Sequence, residues 1–369
     1  MFFSFLENGL GPLLILILLI NAFLYKRIKI NSDLLNFIVL LYLMILALGL
    51  RTIYSGVDTA SYFQYYNEVS SSGLNTRDYE FGFYGFTLLS SYLGGWDFFL
   101  IFSIVLQLLS VYLAAVLFKI KQPNLVVFLY IALLPGFDLL TNGLRQGIAL
   151  SVGSIFLVMS LYRNNLKVFN LIPIIFHKST LVYIGSFFIP KNEKINIFYI
   201  KGLLFLGVVV VVIGYMGSFL DGSIRFEDLL PLPLIGTNHT LGAKIDMYLY
   251  IEKQLLSESM KAYFLVVSYV ILLPFIYGVF FKPNLTKSVL SFGLFCLCLH
   301  FFFLLIWWTN FAYRFMYISY IPSVLLFVKC TELMALKRLK YFMFVVLILG
   351  IISTYSSNNF SSFSLLDLY

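Results

Sequence analysis

The sequence predicts an all-α polytopic membrane protein, and three observations carry that reading. Hydrophobic residues make up 61% of the 369-residue chain, charged residues only 11%, and the mean hydropathy is +0.94. A soluble domain carries about 25% charged residues. Continuous apolar runs such as Leu10–Tyr25, Leu34–Leu50, Phe198–Gly217 and Tyr341–Ile352 approach the roughly 17–25 residues that span a bilayer. The runs do not alternate, which excludes an outer-membrane barrel and leaves helices to satisfy the backbone in lipid.

Taken in order, spans are expected near 10–25, 34–50, 97–118, 124–140, 143–162, 198–218, 261–281, 287–306, 311–329 and 340–355. Lys26, Arg27 and Lys29 follow the first run and no basic residue precedes it, the reverse of a removable signal peptide. Two shorter apolar pieces, 166–176 and 179–190, flank His177-Lys178 and read as short helices that dip to the outer side and return. The total is about 12 crossings in a single membrane-embedded domain, 1–369, with both ends outside. Segment 51–96 reads as an outer loop whose residues 81–95 are re-entrant or interfacial, and 219–260 as a second outer loop. Loops of that length are often functional.

Basic residues in short loops mark the cytoplasmic side. This places most lysines inside, with Asp33, Glu193 and Glu332 as the acids there. Arg51, Arg77, Arg145, Arg225 and Arg314 fall outside. Lysine suffices as a topology signal, whereas the fork of arginine suits phosphate or carboxylate. The outer face therefore reads as the working face, with an anionic ligand.

Within "TNGLRQGIALS", Asn142 is a candidate N-cap and Arg145 lies in the first helical turn. A helix start offers free N–H donors and a partial positive charge. "WWTNFAYRFMYISYIP" repeats the plan with Asn310 and Arg314, so two such starts can converge on one diphosphate. Arg51 and Arg225 are helpers; a snorkelling role is the alternative for Arg51. Gly143, Gly147 and Ser151 form a small-residue ridge for close helix packing.

His177 sits between apolar pieces, where it can bond a phosphate oxygen or take a proton; an interfacial turn histidine is the plain alternative. Asp58 can pair with an arginine or accept a sugar hydroxyl proton, or cap the following helix. Tyr62, Tyr313, Tyr317 and Gln146 are candidate sugar contacts, with Tyr65, Tyr66 and Tyr320 as further stacking rings; interface-belt tyrosines are the competing reading. Lys178 reads as an anchor, His239 as loop surface, and His300 and the three cysteines as packing residues. No D-x-D motif occurs, so neither a divalent metal nor another cofactor is expected.

"RTIYSGVDTASY" from Arg51, then "NGLRQGIAL" from Asn142, then "FHKSTL" around His177, resembles the EpsG-like branch of Wzy-type polysaccharide polymerases. There an outer R…G-D…Y motif, an N-x-x-R-Q-x-x-A helix start and an F-H-x-S turn recur in this order. The ordering covers about residues 45–190, and the later helix with Arg314 fits. "GVD" stands where Gly-Thr-Asp is common. Segment 219–260 matches no such pattern, so Arg225 rests on its chemistry alone.

The resemblance implies a GT-C-like enzyme in a bacterial inner membrane. It would join oligosaccharide repeat units carried on undecaprenyl diphosphate, as in O-antigen, capsule or exopolysaccharide synthesis. Arg145 and Arg314 would clamp the departing diphosphate, with His177 or Asp58 as base. The partners implied are lipid-linked donor and acceptor, membrane lipid and a chain-length regulator protein, with no nucleic acid. The rival readings are a flippase or exporter of lipid-linked oligosaccharide, and an O-antigen ligase-like transferase.

Overall fold

A computed structural model describes residues 32–49, 51, 58–162, 167–219, 258–281, 285–305 and 312–334. The expected spans near 10–25 and 340–355, most of the loop 219–260, Arg225, His239 and Asn310 lie outside the described residues. Every element among the described residues is helical.

Helix α1, Ser32–Met44, runs into a π-helical turn at Ile45–Gly49. Segment 51–96 is largely helical rather than a simple loop. Helix α2, Thr59–Ser72, is amphipathic and buries Tyr65, Tyr66 and Val69. It stops at Gly73, whose φ of +67° is left-handed and whose N–H bonds back to the Val69 carbonyl, the glycine solution to a helix end. Helix α3, Phe81–Leu93, has 13 residues, about 20 Å of helix against a hydrocarbon core of about 30 Å. It is too short to cross alone. Gly95, at φ +80°, turns the chain directly into α4, Gly95–Leu117.

The expected span near 124–140 is broken. Helix α5, Pro123–Ala132, and helix α6, Leu134–Thr141, meet at 78°. Leu133 is extended, with φ −97° and ψ 140°, and Pro135 has no N–H to continue the ladder. Gly136 lets the elbow close, because a Cβ there would collide with the Tyr130 carbonyl oxygen. Helix α7, Leu144–Leu161, follows at once. Two 3₁₀ segments, Lys167–Ile175 and Lys178–Phe188, flank His177, about 18 and 22 Å long at the 3₁₀ rise. Helices α8 (Glu193–Phe219), α9 (Glu258–Phe281), α10 (Lys287–Leu305) and α11 (Ala312–Met334) complete the described fold.

Among the described residues four helical stretches are long and apolar enough to cross a membrane: 95–117, 144–161, 193–212 and 316–333. The α5–α6 pair makes a fifth if it counts as one broken span. The chain is a membrane protein, helical throughout its described elements.

Helices α4 and α7 pack together, and α11 packs against α5, α6 and α7. Gly147 permits the α4–α7 approach, since a Cβ there would meet the Gln107 side chain. Gln107 in turn accepts from Tyr130 at 2.8 Å. This is the close contact the small-residue ridge leads one to expect.

The two ends of α11 are tied to opposite ends of the α4–α6 unit. Near its close, Glu332 accepts from the backbone N–H groups of Lys121 and Gln122, and Lys329 donates to the Lys119 carbonyl. Near its start, Tyr317 reaches Asp138 on α6. Lys119, Lys121, Lys329 and Glu332, all expected on the inner side, thus meet at one end of α11.

Candidate active site

The α6–α7 joint positions Arg145. Asn142 is not the N-cap of α7. It closes α6, its N–H bonding to the Asp138 carbonyl, and Gly143 takes the N-cap position without a side-chain cap. Four consecutive residues, Asn142 to Arg145, therefore serve two helix ends. The Asn142 amide instead donates to Asp138 Oδ1 at 2.7 Å. Arg145 is the second residue of α7, within the first turn.

Its guanidinium is held on two sides. The Cζ atom lies 4.1 Å from the centre of the Tyr79 ring, a cation–π contact. Nη1 donates to Glu80 Oε2 at 3.1 Å, with Arg145 and Glu80 side chains 24% and 11% exposed. That is its one side-chain hydrogen bond among the described residues. The other Glu80 oxygen accepts from the Lys178 backbone N–H at 3.2 Å. One carboxylate therefore joins the start of α7 to the turn that carries His177.

His177 occupies the N-cap of the second 3₁₀ segment, where its side chain accepts from the Ser179 N–H at 3.0 Å through Nδ1. A backbone N–H can only donate, so Nδ1 must be the acceptor. The neutral ring then carries its proton on Nε2.

Tyr62, on α2, sits close enough to Asp58, Arg145 and Tyr79 to feel their charges. Burial, then the Asp58 carboxylate, push the Tyr62 phenol well above its usual pKa, so it stays a neutral hydroxyl. Asp58 itself is exposed and stands at the N-cap of α2 without a side-chain cap bond.

Arg51, close enough to Tyr62 to feel it electrostatically, places its hydrogen bonds on the end of α6. It is 4% exposed and donates from Nη1 to the Leu140 carbonyl at 3.2 Å and from Nη2 to the Thr141 carbonyl at 2.8 Å. It closes the negative end of α6. Tyr317 is buried, and its hydroxyl donates to Asp138 Oδ2 at 2.7 Å. Gln146 is likewise interior. Tyr65 and Tyr66 belong to an aromatic core with Phe83, Phe86 and Phe99, and Tyr320 bonds the Leu129 carbonyl. None of these five is placed as an open stacking surface. His300 is buried and bonds the Cys296 carbonyl at 2.8 Å, a packing histidine as expected. Tyr313 and Arg314 lie in the first turn of α11; their side chains are outside the described set.

The α6–α7 joint also holds buried polar atoms without a protein partner among the described residues: Arg51 Nε, Asn142 Oδ1 and Gln146 Nε2. Such orphans are costly unless water or ligand meets them.

Two residues of this constellation escape a sequence reading. Glu80 is one of several loop acids and nothing in its spelling marks it. Asp138 did carry a signal, being the one charged residue in the run 124–140, and charge at membrane depth is costly enough to suggest a role.

The model for the EpsG family matches residues 13–366, nearly the whole chain. The chain belongs to the EpsG family. No curated protein and no solved structure matches it. In this EpsG-family chain the three stretches around Arg51, Arg145 and His177 all lie inside the matched region. The structure links Arg145 and His177 through Glu80, and seats Arg51 at the helix end four residues before Arg145.

Proposed function

We propose that the protein polymerises oligosaccharide repeat units carried on undecaprenyl diphosphate, by glycosyl transfer on the outer face of a bacterial plasma membrane. Membership in the EpsG family supports a role in exopolysaccharide synthesis. The observation that carries the mechanism is the tie between Arg145 and the His177 turn through one carboxylate. It supports that reading by holding the Arg145 guanidinium and the backbone of the turn that follows His177 on one side chain.

In the transfer, a hydroxyl of the acceptor sugar attacks the donor's anomeric carbon. The bond from that carbon to the diphosphate oxygen breaks, and its electron pair leaves with the diphosphate. Arg145 and the His177 Nε2–H stabilise the charge that develops there, the kind of preorganised donor effect that dominates many enzymes. The acceptor proton goes to Asp58. Arg314, in the first turn of α11, completes the clamp, and Arg225 assists from the second outer loop. Arg51 acts by closing α6 rather than by gripping phosphate. The mechanism uses no metal or other cofactor, and a chain-length regulator would meet the same outer face.

The test is purified protein with a defined lipid-linked repeat unit, scored for a ladder of products. Arg145→Ala should remain membrane-inserted and make no ladder. A full ladder from that variant would overturn the assignment. In cells, loss of the protein should leave single repeat units that still reach the outer face; units trapped inside would indicate a flippase.

A further inference from the structure

We infer that Glu80 is the positioning residue of this anion site, and that the loop 73–80 is a rigid template which fixes the plane of Arg145 before any ligand arrives. The inference rests on the reading that Arg145 meets the donor diphosphate.

The loop is bonded along its length. The Tyr84 hydroxyl donates to the Gly73 carbonyl at 2.6 Å. The Asn75 side chain accepts from the Tyr65 hydroxyl at 2.8 Å and from the Tyr79 N–H at 3.1 Å, and donates to the Tyr79 carbonyl at 2.7 Å. Thr76 and Arg77 both bond Glu68, and Arg77 also reaches Ser61. Asp78 is held at φ +49°, a left-handed value that glycine, asparagine and aspartate reach more readily than other residues. The Tyr79 ring then lies 4.5 Å from Tyr65 and 5.8 Å from Phe83, measured between centroids.

The product of all these bonds is a ring and a carboxylate aimed at one guanidinium. Tyr79 sets the plane of Arg145 and Glu80 takes one of its Nη1 hydrogens. The edge bearing Nη2 and Nε has no partner among the described residues. A phosphate approaching that edge meets two parallel donors, while the Glu80 charge repels it from the other side and so fixes its direction of approach. The second Glu80 oxygen, on the Lys178 N–H, sets the His177 turn against the same reference point. A carboxylate that simply competed with the ligand would have to leave both bonds, and the anchored loop opposes that movement.

The experiment uses the full chain in detergent or nanodiscs, comparing wild type with Glu80→Gln, which keeps shape and removes charge. Modification of Arg145 by phenylglyoxal is followed by peptide mass spectrometry, with inorganic pyrophosphate as protecting probe and Arg77 as internal control. Glu80→Gln should raise the Arg145 modification rate and leave Arg77 unchanged. It should also weaken pyrophosphate protection about tenfold, and lower kcat for chain extension more than it changes KM, as a misaimed group does.

Unchanged Arg145 reactivity would overturn the inference, as would stronger pyrophosphate protection, the mark of a competitor. If pyrophosphate never protects wild-type Arg145 yet Glu80→Gln still exposes it, the diphosphate reading fails and the positioning role stands. Should Glu80→Gln not fold, Tyr65→Phe removes only the hydroxyl that holds Asn75. It should raise Arg145 reactivity in the same direction by less, and no change would count against the template.

Discussion

The Tyr317 hydroxyl donates to Asp138 across 2.7 Å, tying the first turns of α11 to the last turn of α6. Both residues are largely withdrawn from solvent, and the Asn142 amide bonds the other carboxylate oxygen. Arg314 lies three residues before Tyr317, so this bond holds the backbone that carries it against the end of α6. Tyr317→Phe removes one donor from a half-buried carboxylate, a loss of about 1–3 kcal/mol. We expect a lower melting temperature in detergent, and a fall in ladder formation beyond what unfolding accounts for, measured where the variant is still folded. Unchanged melting and turnover would show that the contact is idle.

Arg51 makes a prediction of the opposite kind. Its two bonds go to the carbonyls of Leu140 and Thr141, groups that a helix end leaves without partners. Arg51→Ala should destabilise the protein by about 3 kcal/mol, and Arg51→Lys, which keeps charge but not the fork, by less. Activity per folded Arg51→Lys molecule should stay near wild type. A collapse of that specific activity would place Arg51 on the diphosphate instead.

Much of this was readable from residue types alone. Apolar runs revealed the helices because lipid demands them, and Gly147 revealed a close approach because only a small side chain fits against Gln107. Arg145 stood out because an arginine in an apolar first turn needs an anion. The elbow at Leu133–Gly136 was not anticipated, although Pro135 and Gly136 were its cause: the surrounding run is apolar enough to pass for one span. Glu80 was invisible for a different reason. Its role comes from a contact with Arg145 across 65 positions, made by a loop whose bonds depend on Asn75 and Glu68 in three dimensions. Tyr317 and Gln146 read as surface contacts because their chemistry permits it, while packing turned them inward.

The Glu68–Arg77 pair gives that loop a pH dependence. Hydrogen bonds from Arg77, then Thr76, hold the Glu68 carboxyl below its usual pKa. A carboxylate with a lowered folded-state pKa stabilises the fold above its unfolded value, about 4.3. That contribution fades as pH falls through the lower folded value. The protection factors of the amides at residues 74–79, taken relative to the intrinsic exchange rate at each pH, should therefore be high at neutral pH and fall on acidification, and Glu68→Gln should show the lower protection at neutral pH and converge with wild type in acid. Equal protection in the variant at neutral pH would mean the pair does not hold the loop.

His177 combines two functions that one substitution separates. Its Nδ1 caps the second 3₁₀ segment by accepting from Ser179, and its Nε2–H is the proposed phosphate donor. Asparagine is among the best residues for accepting at such a position, so His177→Asn should keep the turn and the wild-type melting temperature. Its amide is shorter than the imidazole and does not extend to the Nε2 position, so turnover should fall, by about a hundredfold for a lost transition-state donor. His177→Ala should lose the cap as well and melt lower, by about 1 kcal/mol. The comparison isolates the ring: wild-type turnover in His177→Asn would show that the histidine serves only the turn, and that Arg145 acts on the leaving group without it.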